Sequence, residues 1–246
     1  MHFRLMTYNI HKGIGGIDRR YRLERIAETI EHCQPDVLLM QEVDRGVPRS
    51  HKHDQVERLG ELLGFPYAAF QLNVHLKLGG YGNAILSRLP LGETWNLDLK
   101  IPLKKRRRGL AVELRTSERA DAHSVLLYNV HLGLAGFERR IQLRRVLASR
   151  SLTDAQNYAG VIVAGDFNDA FNNLGRQILE PAQFRCATRA ARTFPAMLPV
   201  RPLDRVYFRG DLHSQHAFVC HTRTARQASD HLPLIVDFSL TPRHSA

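Results

Sequence analysis

At 246 residues, with 43% hydrophobic and 24% charged residues, the chain has the make-up of a globule with one large core, which excludes disordered, fibrous and low-complexity classes. Thirty-five Lys and Arg against 24 Asp and Glu leave a net charge of +11, so the surface field favours polyanions such as nucleic acid or anionic lipid head groups. The three cysteines, Cys33, Cys186 and Cys220, are odd in number and widely spaced, which argues against a disulfide framework or a cysteine zinc site; they are expected to be buried small apolar residues.

The chain opens on an alternating strand over 3–8 rather than on a secretory signal. Leu23, Ile26, Ala27 and Ile30 then fall at helical spacing, with Pro35 marking where that helix has stopped. A strand at 36–41 follows, and Val37 to Met40 is apolar on both faces, as in a strand buried between layers. A second helix places Val56, Leu59, Leu62 and Leu63 on one side and ends at Gly64, before Pro66. Strands are predicted at 83–87, 110–114 and 124–132, and a helix from about Gly136 to Arg150 carries Ile141, Val146 and Leu147 among Arg139, Arg140, Arg144 and Arg145. Further strands read at 160–164, 204–208 and 232–238, and the proline-rich segment 181–203 reads as a long ordered loop. No repeat or linker divides the chain, so one domain over 1–246 is expected, of layered α/β class. No stretch approaches the ~18 apolar residues of a membrane helix, and a cytoplasmic monomer is expected.

Chemistry-bearing side chains stand where apolar strands end. Asn9 follows the first strand, Glu42 the second, and Asp166 with Asn168 follows 160–165. Glu42 and Asp166 together suit Mg²⁺, which takes few carboxylates and keeps several waters; either alone would ordinarily be a solvated carboxylate or a helix cap. Asp230 and His231 precede the last strand and place a carboxylate beside an imidazole, and Asp204 is suited to orient that ring. His131, at the end of 124–132, is a second donor for phosphate or leaving group. Most of the 13 histidines must be irrelevant to catalysis, and context singles out these two. The run Lys104, Lys105, Arg106, Arg107 and Arg108 suits a solvated loop as well as it suits a phosphate-binding element.

Thr7-Tyr8-Asn9-Ile10, Gln41-Glu42-Val43, Gly82 to Arg88, Asn129-Val130-His131-Leu132, Gly165-Asp166-Phe167-Asn168, Leu203-Asp204-Arg205-Val206 and Ser229-Asp230-His231-Leu232-Pro233 together resemble the ordered motif series of the endonuclease/exonuclease/phosphatase (DNase I-like) superfamily. Each motif is weak alone, but seven in order from residue 3 to about 238 are specific. The resemblance implies a four-layer α/β/β/α sandwich of two mixed sheets and a divalent-metal-dependent phosphoester hydrolase using Mg²⁺ or Mn²⁺. It places metal ligation on Glu42 with Asn9 and Asp230, water positioning and phosphate contact on Asp166 and Asn168, and the His–Asp dyad on His231 and Asp204. His131 matches a phosphate-contacting or proton-donating histidine, and Asn83 a substrate-binding position; Arg108 and His11 are further substrate-binding candidates by adjacency. Asp166 and His231 both stand as the general base. The substrate stays open between a nucleic acid and a lipid head group or other small phosphoester. Pro202, before Leu203-Asp204, replaces the aromatic residue typical of the abasic-site repair branch. A binding module without catalysis is disfavoured because no metal or dyad residue is missing.

Overall fold

The computed structural model describes residues 1–118, 123–153, 158–188 and 191–241. Its strands, in chain order, are β1 (His2–Asn9), β2 (Val37–Arg45), β3 (Tyr67–His75), β4 (Gly80–Ser87), β5 (Leu91–Asp98), β6 (Arg108–Arg115), β7 (Ser124–His131), β8 (Gly160–Asp166), β9 (Arg185–Cys186), β10 (Asp204–Gly210), β11 (Leu212–Val219) and β12 (Leu234–Leu240). They form two six-stranded sheets, ordered β11-β12-β1-β2-β4-β3 and β5-β6-β7-β8-β10-β9. Each sheet is mixed, with one parallel pair at its centre, β1 beside β2 and β7 beside β8.

The helices are α1 (Leu23–Cys33), α2 (Gln55–Leu63), α3 (Gly136–Leu147), α4 (Arg150–Thr153) and α5 (Arg223–Ala228). Leu23, Ile26, Ile30 and Cys33 recur at three- and four-residue intervals, which gives α1 one buried stripe against the first sheet. The helix stops at Gln34, which adopts a left-handed conformation with φ 47° just before Pro35. Asp54 caps α2 by accepting from the backbone N–H groups of Val56 and Glu57, and Gly64 ends it at φ 66°. Leu62 departs from the predicted apolar side and is 60% exposed. The third helix ends at Leu147, earlier than predicted; Gln142, Leu143 and Val146 face inward and Ile141 is exposed.

Three apolar layers result. One lies under α1, α2 and α5, one between the sheets, and one under α3, α4 and the turn Gly175–Leu179, so the architecture is the expected α/β/β/α sandwich. Leu5, Leu39, Leu127, Ile162, Val206 and Val236 fill the middle layer; each such side chain contributes about 1.5–3 kcal/mol by leaving water.

Every predicted strand is present, extended by a few residues at some ends. The strands not predicted are β3, β5, β9 and β11, the four sheet edges. The segment 181–203 contains β9 and a bridge between Phe194 and Arg201. Cys33 and Cys220 are buried as expected, while Cys186 is half-buried. Among the described residues no helix is long and apolar enough to cross a membrane.

Candidate active site

Side-chain alternation along the strands builds the site. In β1, Phe3 and Leu5 face the inter-sheet core and Met6 and Tyr8 face the helices, so Asn9 has the inward parity. The same count directs His131 inward after Val125 and Leu127, Asp166 after Ile162 and Ala164, and Asp204 ahead of Val206 and Phe208. Asp204 lies opposite Asp166, and Asp166 opposite His131, so these three meet at one end of the inter-sheet layer. In β2 the inward residue is Gln41; the register shift between Met40 and Val43, with φ 55° at Glu42, turns the next carboxylate toward the same end. Asn168 also adopts a left-handed conformation, φ 51°; such non-glycine residues cost about 1–3 kcal/mol each and concentrate at functional sites.

Asp166 stands at the centre. Its Oδ2 accepts from the Asn9 amide at 3.1 Å, with Nε2 of His131 at 3.5 Å and Nε2 of His231 at 3.8 Å, while Oδ1 accepts from the Asn168 backbone N–H at 2.9 Å. Behind His231, Nδ1 lies 2.8 Å from Oδ2 of Asp204, which also accepts from the Thr193 hydroxyl at 2.5 Å. Phe194 packs its ring 4.9 Å from the His231 ring. The Ser229 hydroxyl donates to the Asn9 carbonyl at 2.7 Å and accepts from the His231 N–H at 3.2 Å, fixing the last motif against the first strand.

These contacts separate the protonation states. Burial favours a neutral His231, but the carboxylates of Asp204 and Asp166 outweigh it and hold the ring at about 10. Burial, assisted by the Arg107 guanidinium, pushes His131 well below its ordinary value. Near neutral pH one imidazole is therefore charged and the other is not. Burial raises Asp166 to about 6. Burial also opposes ionisation of Glu42, yet neighbouring cationic groups, the paired Lys12 ammonium among them, overcome it and hold that carboxyl at about 2.

Glu42 ion-pairs with the Lys12 ammonium. Asp230 lies 3.8 Å from Nδ1 of His11, which is hydrogen-bonded with the Ile14 carbonyl oxygen at 2.9 Å. The expected metal ligands Asn9, Glu42 and Asp230 come from three chain segments, and no group of three or more His, Cys, Asp and Glu able to hold a metal occurs among the described residues. A Mg²⁺-type ion needs only one or two carboxylates. The donors fit one: Glu42 is ionised, oxygen-bearing and already faces a cation.

Asn83 is fully buried, and its amide donates to the carbonyls of Arg108 at 3.0 Å and Asn129 at 3.5 Å. It belongs to a polar layer beneath the site, in which Asn129 donates to the carbonyls of Met40 and Ala84 and accepts from Gln41, tying the two sheets together. Arg108 donates to the Leu72 carbonyl at 3.4 Å. Its neighbour Arg107 is 5% exposed, has an unpartnered Nε, and feels the charges of Asp166 and Glu42. The basic run enters the site through Arg107 and through Lys105, whose Nζ lies 5.2 Å from the centre of the Tyr81 ring, a ring also approached by Lys12 and Arg49. Five consecutive cations give no sequence signal to choose among them. Thr193 and Phe194, from the irregular 181–203 segment, likewise carry no motif that announces them.

The chain matches the endonuclease/exonuclease/phosphatase family over residues 6–231. It is 29% identical over 251 residues to Escherichia coli K12 YbhP, a protein described as uncharacterized, with 97% of this chain and 96% of YbhP covered. Similar solved structures include an endonuclease/exonuclease/phosphatase from Beutenbergia cavernae, 25% identical with TM-score 0.81, covering 100% of this chain and 73% of that one. The fold is also shared with ANGEL2, described as a 2′,3′-cyclic phosphatase, at 16% identity and TM-score 0.74, covering 97% of this chain and 95% of that one. The matched span begins in β1 and ends at His231, enclosing every strand end that meets at Asp166, and the chain belongs to the endonuclease/exonuclease/phosphatase family.

Proposed function

We propose that the chain is a divalent-metal-dependent phosphoester hydrolase in which Asp166 activates water for direct attack on phosphorus. Members of the family are in general phosphoester hydrolases. The observation that carries the reading is the pair of imidazoles converging on one carboxylate, His131 and His231 with Nε2 at 3.5 and 3.8 Å from Asp166, and Asp204 backing His231 at 2.8 Å.

Asp166, raised to about 6, is ionised at neutral pH yet basic enough to take a proton from water. Because Asp204 keeps His231 protonated, that ring cannot serve as the base; it donates to a phosphoryl oxygen and stabilises charge as the leaving oxygen departs. His131 approaches the same Asp166 oxygen as His231, and the Arg107 guanidinium, whose Nε has no hydrogen-bond partner among the described residues, attracts the phosphate. Asn9 and Asn168 hold the carboxylate from both of its oxygens. Glu42, with Asn9 and Asp230, would hold the Mg²⁺ or Mn²⁺, which when bound supplies charge neutralisation on the phosphate oxygens.

Hydrolysis of bis(p-nitrophenyl) phosphate with Mg²⁺ or Mn²⁺ tests this. Glu42→Ala, Asp166→Ala and His231→Ala each abolish turnover with the far-UV spectrum unchanged. Full activity in any folded variant overturns the assignment.

A further inference from the structure

We infer that the site-bearing end of the sandwich docks on an anionic phospholipid surface, so that the phosphoester it hydrolyses is a membrane head group; this rests on the hydrolase reading above. Twelve large apolar side chains are exposed among the described residues. All except Leu62 lie on loops at the end where Asn9, His131 and Asp166 stand, or on α3 directly after one of those loops. The loops at the opposite end expose none among the described residues. A surface left apolar by chance would not divide this way.

The apolar tips also stand on the segments that supply the site. Leu103, fully exposed, precedes the buried Arg107 in the β5–β6 loop. Leu134, 76% exposed, follows His131, and Phe171, 78% exposed, follows Asn168. Each tip has a cation beside it. Lys104 extends its ammonium 5.5 Å from the Phe137 ring, Arg139 donates to the Leu134 carbonyl, and Arg176 donates to the Phe171 carbonyl at 3.2 Å. Apolar tips interleaved with Lys and Arg match a bilayer interface, where the tips enter the acyl boundary and the cations meet anionic head groups. A nucleic acid would satisfy the cations and leave Leu103 and Leu134 in water, since aliphatic tips offer no stacking platform for bases.

Co-sedimentation with vesicles of phosphatidylcholine alone, or mixed with an equal amount of phosphatidylglycerol, tests the inference. The wild type should pellet with the mixed vesicles and not with the neutral ones. A Leu103→Ser/Leu134→Ser/Phe171→Ser variant should bind them about tenfold more weakly or worse, while hydrolysing the soluble diester at the wild-type rate. Equal binding by the variant, no preference for the mixed vesicles, or tighter binding to duplex DNA that ignores the three substitutions each overturn the inference. Vesicle binding is read without turnover, so an inactive wild type that still binds vesicles would refute the hydrolase reading separately.

Discussion

Replacing Asp204 by Asn keeps the shape of the side chain and removes its charge from Nδ1 of His231, 2.8 Å away. The difference between about 10 and the ordinary 6.5 for that ring corresponds to roughly 5 kcal/mol, supplied by Asp204 and Asp166 against the opposing effect of burial. Because the folded value is raised, the stability this pairing contributes is whole below the unfolded value near 6.5 and is lost as pH rises through about 10. Asp204→Asn should therefore lower unfolding free energy at neutral pH by on the order of 3–5 kcal/mol, since a buried imidazolium must lose either its partner or its proton. The deficit should shrink toward pH 10. Turnover of the chromogenic diester should fall about 10²- to 10⁴-fold at neutral pH, and the basic limb of kcat/KM should move down from about 10. Urea unfolding at several pH values and a pH–rate profile measure both. A basic limb that stays in place, with a stability deficit independent of pH, would refute the charge pairing.

The wild-type acidic limb of kcat/KM should lie near pH 6, where burial has placed Asp166, rather than near the ordinary 3.8; a profile flat down to pH 5 would remove Asp166 as the base. Arg107→Ala should lower kcat/KM about 10- to 100-fold through lost phosphate attraction, whereas Arg108→Ala, directed toward the Leu72 carbonyl, should leave it nearly unchanged. Steady-state kinetics on both variants decide which member of the basic run serves the site. Asn129→Ala removes the hydrogen bonds to the Met40 and Ala84 carbonyls and the one from the Gln41 amide, which keeps its bonds to Thr7 and Leu39; urea denaturation should show a loss of about 2–4 kcal/mol.

The central strands were legible because they are apolar on both faces, and a polar residue continuing the inward count marks the strand end. Asn9 and Asp166 were visible as polar residues directly after such strands, whereas Asp204, at a strand start, and His131, inside a strand run, stood out by their suitability as a partner for His231 and as a second donor. Edge strands carry no such signal: β11 reads Leu-His-Ser-Gln-His-Ala-Phe-Val and is exposed along its middle, because one flank of an edge pairs with nothing and tolerates polar side chains. Glu42 could be chosen, but the backbone device that aims it, a register shift with a left-handed residue, arises from pairing with β4 and is invisible locally. Arg107 and Arg108 differ only in where the chain enters β6. Thr193 reaches Asp204 through a fold-back of 181–203 that no periodicity announces.

Titrating chelator-stripped protein with Mn²⁺, following heat of binding and diester hydrolysis in the same samples, tests the whole arrangement most directly. We expect both to rise together to one bound ion per chain and both to vanish in Glu42→Gln. Full hydrolysis by the stripped protein in excess chelator, or binding and turnover untouched by Glu42→Gln, would contradict a metal-assisted site at this end of the sandwich.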